Sequence, residues 1–229
     1  LGFLVGISHE AMRHDHLLHH KWNRTPRDPD AYNAGTRTVS TWLLFYSVAL
    51  LGIPLAIPFF NIFYPLTFMD APGRARHFRH LVAYAIAHIA VWSFIVTLGV
   101  FDSALHLWII PLLCASPWNG LKSIADHHAN VWEGDRYHTA TTVRSNALVR
   151  YFWSGLNHHL DHHLYPRVPG PNLPRLHALL RPYLAAQRSP VFDSYAAVFL
   201  AALAAGPTYT KQDHFLRTPD AAEAERGGA

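Results

Sequence analysis

Apolar and polar residues fall into long blocks along this chain. Leu1 to Ile7 are apolar, and residues 8–30 are polar and rich in histidine, ending in Thr25-Pro26-Arg27-Asp28-Pro29-Asp30. Residues 39–69 are strongly apolar, 70–80 are short and basic, and 81–101 are apolar again. After a break at Asp102-Ser103, a further apolar run extends from Ala104 to Trp118. Residues 119–190 are polar with His and Arg throughout, 191–206 are short and Ala-rich, and a charged tail occupies 207–229. A membrane-spanning helix needs about 20 apolar residues. The 81–101 run meets that length, and the 104–118 run does so when extended to about Ile124. Together they predict a helical hairpin over about 81–124 with a tight turn at Asp102.

The 39–69 run is long enough to cross, but Pro54 and Pro58 interrupt it, and each removes a helix hydrogen bond. None of the 19 Lys and Arg residues lies between 38 and 73 or between 80 and 121. The flanking segments carry the positive charge and the 102–106 turn carries none, which places those segments on the cytoplasmic side and the turn outside. The 39–69 run then enters and leaves on one side as a broken or interfacial hairpin. The expected fold is all-α: a single domain over 1–229 of integral, multi-pass membrane helices, with a cytoplasmic helical cap over 8–30 and 119–190.

Composition agrees. Half of the 229 residues are apolar and 15% are charged, against about 25% charged in a typical soluble domain. The net charge of +4 is too small to argue for nucleic acid. The single cysteine, Cys114, excludes an intramolecular disulfide and a cysteine-based metal site. Any metal must be held by imidazole and carboxylate, and histidine, with 18 residues, is the compositional outlier.

Two histidine clusters share one spacing. His16, His19 and His20 stand at i, i+3 and i+4, which lie on one face of a helix. His159, His162 and His163 repeat the pattern near the end of a predicted amphipathic helix that runs from about Ser145 to a stop at Pro166. A lone histidine is ordinarily a surface or hydrogen-bonded residue. Six in two matching clusters are different, because burying them without a metal would leave unsatisfied polar groups. Imidazole suits iron, zinc, copper and nickel alike. Asp15, Asp126 and Asp161 adjoin these histidines, and carboxylates commonly accept the second ring N–H of a metal-bound His. For Asp15 a solvated cap or salt bridge is an equal reading. His88 lies within an apolar segment, where a polar residue is a functional candidate by default. His106 reads as structural, and His128, His138 and His158 lack the phase of the clusters.

His16-x-x-His-His followed by Asp28-Pro29-Asp30 resembles the second histidine box of membrane fatty-acid desaturases. Asn157 through Pro169, with Asn172-Leu173-Pro174 and His177 beyond, is similar to the third box and its downstream segment. Asp126-His127 resembles the acidic-His element that adds one more iron ligand. The resemblance covers about residues 8–185 and implies His16, His19, His20, His127, His159, His162 and His163 as ligands to two iron ions. A further first box is expected upstream of Leu1, in a longer protein. His9 and His14 match its letters but lie too close to the second box, so a site using them is the lesser alternative.

The implied activity is O2-dependent desaturation of a fatty-acyl lipid or acyl thioester, with electrons from a ferredoxin or cytochrome-type donor. No catalytic group beyond the metal ligands is expected. A hydroxylase or carotenoid ketolase of the same architecture is the nearest rival. A ferritin-like protein would show Glu-x-x-His motifs, which are absent. A membrane metal transporter or metal-binding protein is the non-enzyme alternative, and it would place its ligands near the bilayer midplane.

Overall fold

The computed structural model describes residues 2–25, 27–30, 39–127 and 135–205, so the tail over 207–229 and His128 lie outside the described residues. The described residues are mostly helical with two short strands, and the chain falls into two compact units. Residues 1–18 and 47–120 belong to the first, and residues 19–46 and 121–217 to the second.

The first unit opens with α1 (Gly2–Val5) and the start of α2 (His9–Trp22). Ser8 caps α2, its Oγ accepting from Ala11 N–H at 3.3 Å. His77 Nε2 faces the Asn61 carbonyl at 3.0 Å and therefore carries the ring proton, while Nδ1 accepts from the Ser8 hydroxyl at 2.8 Å. Ser8 N–H donates to Asn61 Oδ1 at 2.8 Å, and Asn61 Nδ2 donates to Gly6 O at 2.7 Å. This buried network fixes where α2 begins.

Helix α3 (Val39–Pro58) runs through a π turn, Phe59–Phe63, into α4 (Tyr64–Phe68). The hairpin expected over 39–69 is thus replaced by one helical path. Pro54 stays inside α3, and the wider π turn begins just after Pro58, closed by Tyr64 N–H on Phe59 O. The break comes after α4, where Asp70 caps α5 (Ala71–Thr97), its Oδ1 accepting from Gly73 N–H at 2.8 Å.

The hairpin that follows forms, but its turn lies before Asp102. Gly99 takes φ +68°, Gly99 N–H bonds Val96 O at 3.0 Å and Val100 N–H bonds Ile95 O at 3.1 Å. That is the glycine-terminated helix end, and it needs no polar residue. Asp102 sits within α6 (Phe101–Ala104), which leads through a second π turn, Leu105–Ile109, into α7 (Ile110–His127). Trp92 and Trp108 stack at 5.4 Å between the two arms. His88 Nε2–H donates to Phe3 O at 2.9 Å, and Trp108 Nε1–H donates to Leu4 O at 2.8 Å. His88 therefore serves the open carbonyls of α1. His106 bonds Asp102 O within its own turn.

Val82, Ile86, Ile89 and Phe94 on α5 are exposed. Leu50–Phe68 and Ala71–Thr97 are long and apolar enough to cross a membrane. The fold is all-α with two candidate membrane-spanning helices.

The second unit contains the end of α2, the end of α7, and the chain from Asp135 onward. A 3-10 turn (Arg136–His138) leads to β1 (Thr142–Val143), α8 (Ala147–Phe152) and α9 (His159–Leu164). A second 3-10 turn (Gly170–Asn172), α10 (Leu173–Ala186), β2 (Val191–Phe192) and α11 (Tyr195–Ala205) follow. The strands pair in parallel, Thr142 with Val191 and Val143 with Phe192. Leu160 packs with Ala140 and Leu184, and Val143 with Ala125 and Val198.

The single helix expected from Ser145 to Pro166 is two. Asn146 caps α8, accepting from Val149 N–H at 2.9 Å, and Ser154 and Gly155 at positive φ then break the path. A Cβ on Gly155 would stand 2.3 Å from Gly170 O, and one on Gly170 would stand 2.1 Å from Ser154 O. Two glycines let these backbones touch, and the break turns α9 into the site.

Two glycine substitutions separate strain from clash. Gly99→Ala meets nothing within 4 Å, so it should cost about 1 kcal/mol for the left-handed backbone alone. Gly155→Ala adds the collision and should cost about 3 kcal/mol or more. Denaturant titration of the detergent-solubilised protein measures both, and equal losses would contradict the packing described.

Candidate metal centre

In the second unit the end of α2 supplies His19 and His20, the end of α7 supplies His127, and α9 supplies His159, His162 and His163. His19, His127, His159 and His163 offer ring nitrogens that all lie within 4.8 Å of one another. His127 Nε2 is 3.1 Å from His19 Nε2 and 3.2 Å from His159 Nε2, and His159 Nε2 is 3.0 Å from His163 Nε2. Beside them, His20 Nε2 and His162 Nε2 stand 3.0 Å apart.

The short segment before and through β1 aligns these rings. Thr141 N–H bonds Asp126 O at 2.9 Å, and Thr141 O accepts from Leu160 N–H at 3.3 Å. Val143 N–H bonds Asn157 O at 2.8 Å, and Asn157 Nδ2 returns a bond to Val143 O at 2.9 Å. One strap therefore holds the last turn of α7 and the first turn of α9.

Tautomers follow from the outer partners. His127 Nδ1 faces Thr139 O at 3.0 Å, and a carbonyl only accepts, so Nδ1 carries the proton. His19 Nδ1 faces Asp28 Oδ1 at 2.9 Å, so it too carries a proton. The Nε2 atoms of His19 and His127 stand 3.1 Å apart. Burial, and next the charge of a protonated His19, push the His127 ring well below the ordinary histidine range, so His127 Nε2 presents a lone pair to the cluster. Burial, reinforced by the neighbouring imidazoles, does the same to His159 and His163.

A metal ion fits. With nitrogens about 2.1 Å from a first-row ion, neighbouring donors sit about 3.0 Å apart at right angles and about 3.4 Å apart at the tetrahedral angle. The observed spacings of 3.0 to 3.2 Å fall in that interval. His19, His127, His159 and His163 would hold such an ion, with Asp28 and Thr139 fixing two of the rings.

Asp126 has its Oδ2 3.7 Å from His159 Nδ1 and is ion-paired with Lys122. Burial raises the Asp126 carboxyl, and Lys122 opposes the shift. Asp161, expected beside a ligand ring, instead accepts from His177 Nδ1–H at 2.9 Å and lies 3.9 Å from His158 Nδ1. Its position on α9 turns it away from the ligand face. His16 lies in the first unit, one turn before His20 on α2 and on the same helix face. Asp15 is buried in that unit. His9 is exposed, His14 Nδ1 pairs with Tyr64 OH at 2.8 Å, and neither belongs to a group of candidate metal-holding side chains among the described residues.

Asp28 was legible only as part of a motif, and its spacing from His19 carries no helical signal. His158 lacked the phase of the clusters and His177 stood only in the segment downstream of the third box, yet they flank Asp161 with rings stacked at 4.4 Å.

These features define an all-α protein of membrane type whose histidine clusters can hold metal. The fatty acid desaturase family profile matches residues 1–195, and the chain belongs to that family. Searches of curated proteins and of solved structures find no match.

The depressed histidines set a pH dependence for the metal-free protein. The unfolded rings take up protons below about pH 6.5, whereas the folded rings of His127, His159 and His163 do not. Their contribution is complete above that pH and is lost as pH falls below it, by up to about 1.4 kcal/mol per pH unit for each ring. Asp126 acts in the opposite sense, one group against three. Unfolding midpoints of chelator-treated protein should fall from pH 7 to pH 5; a flat profile would contradict the buried neutral cluster.

Proposed function

We propose that this chain is an oxygen-dependent di-iron oxidoreductase that desaturates a fatty-acyl chain carried as lipid or thioester. The observation that carries the proposal is the cluster of four rings, His19, His127, His159 and His163, whose ring nitrogens lie within 4.8 Å of one another. His16, His19, His20, His127, His159, His162 and His163 form the ligand set. Two irons held there would supply O2 activation for removing hydrogen from an unactivated C–H bond. Neutral imidazoles leave such a centre more positive than a carboxylate-rich set would.

The protein's own part is orientation and protection. Asp28 and the Thr139 carbonyl hold Nδ1 protons and turn Nε2 lone pairs inward. The apolar runs over 39–69 and 81–118 are the available walls for an acyl chain, and holding one carbon in place for reaction supplies much of the rate. The protein is an integral, multi-pass membrane protein with its histidines on the cytoplasmic face, where Lys and Arg are concentrated. A ferredoxin or cytochrome-type donor docks on that face.

Iron analysis of protein loaded anaerobically with Fe(II), followed by product analysis with an acyl lipid in air and under argon, tests the reading. Two irons per chain and an O2-dependent double bond support it. Zinc without iron favours a metal-transport or metal-binding role, and turnover under argon overturns the oxygenase reading. A hydroxylated product places the chain among the hydroxylases of the same architecture. Asp28→Ala should weaken iron binding by about 10- to 100-fold through loss of the His19 orientation, measured by competition with a chromogenic chelator.

A further inference from the structure

Helix α9 has six residues, fewer than two turns, and carries three of the ligand histidines. Isolated helices of that length have no stability in water, so packing must set its rotation. At about 100° per residue, His159, His162 and His163 occupy one side of α9, and Asp161 points from the opposite side. Asp161 is fully buried there and accepts from His177 Nδ1–H at 2.9 Å. His177 belongs to α10, which is anchored by buried Leu173 and Leu184, the latter packed with Leu160 and Ala140. The His158 ring, at the start of α9, stacks on His177 at 4.4 Å with 28° between planes.

We propose that His177 is a positioning residue of the metal centre: through the Asp161 carboxylate it locks the rotation of α9 and so aims His159, His162 and His163. The inference rests on the metal-binding reading above. A charge-assisted bond to a buried carboxylate is among the stronger side-chain contacts. Losing the donor would leave a buried charge short of a partner, and the cheapest relief is for α9 to roll until Asp161 reaches water.

The same three residues bring ligand atoms within 4.8 Å of one another, which raises the alternative of a third metal ion. The stacking disfavours it. Imidazole lone pairs lie in the ring planes, and two nearly parallel planes do not aim them at one ion.

Asparagine places an amide N–H where histidine has Nδ1–H, glutamine carries it one bond further out, and leucine has none. Iron affinity per chain for His177→Asn, His177→Gln and His177→Leu, with cobalt(II) absorption spectra of the substituted centre, separates aim from bulk. We expect His177→Leu and His177→Gln to bind iron on the order of tenfold more weakly with altered cobalt spectra, and His177→Asn to stay within about twofold of wild type. If His177→Leu does not fold, the Asn and Gln pair carries the comparison. Equal binding by all variants overturns the proposal, as does an Asn variant as weak as Gln. Loss of one of three ions in His177→Leu, with the other two retained, also overturns it and assigns a third site. A wild-type chain that binds no metal removes the metal-centre reading instead.

Discussion

Four imidazoles gathered in a buried space, their ring nitrogens within 4.8 Å of one another, are the constraint on which the second unit depends. Burial disfavours charge on His127, His159 and His163, so the polypeptide alone gains little from bringing them together. The arrangement persists because Asp28 and Thr139 fix the His19 and His127 rings and the Thr141 strap ties the helix ends that carry His127 and His159. The folding energy that holds this geometry comes from ordinary packing around Leu160, Val143 and Val198. A first-row cation would turn this crowding into coordination. The site is pre-organised in the strict sense that its cost is met before the ligand arrives.

The first unit shows what a satisfied histidine looks like in the same chain. His77 has a carbonyl on Nε2 and a hydroxyl on Nδ1, and His88 donates to an open carbonyl at the end of α1. Helices bordering lipid must close such polar groups internally, because no water is present to do so. His77 and His88 thus complete backbone hydrogen bonding, while His19 and His127 aim theirs at each other. The distinction between structural and functional histidine lies in partner chemistry, and both kinds occur within apolar surroundings.

The histidine clusters were legible because helical spacing alone puts i, i+3 and i+4 on one face. The apolar blocks likewise announced the helices, since composition over twenty residues outweighs local detail. What stayed hidden was turn chemistry and pairing across the chain. Gly99, an unremarked residue in an apolar run, ends α5 by its left-handed backbone, whereas Asp102 only looked like a breaker. Pro58 suggested a broken hairpin, and a π turn absorbed it. Asp161 adjoins ligands in sequence, yet a helix turns neighbouring residues about 100° apart, so its partner came from α10. Adjacency along the chain is a poor guide to partnership on a helix, and spacing is a good one.

The carboxylates in the second unit stand one layer behind the rings rather than among them. Asp28 bonds His19, Asp126 lies near His159, and Asp161 braces α9 from behind. Placed directly on an ion, they would neutralise it and weaken its pull on electrons. Placed behind the imidazoles, Asp28 steers and polarises the His19 ring through its N–H bond, and Asp126 acts on His159 through charge across 3.7 Å, which would leave most of the positive charge at the centre. Lys122, paired with Asp126 and lying over the Trp153 ring at 5.6 Å, moderates one of these carboxylates, and its charge also disfavours protonation of His159 and His127. The outer layer therefore sets both the aim and the electrostatics of the rings. A substitution there changes the aim of the rings and the charge around them, whereas a substitution in the packing beneath changes stability.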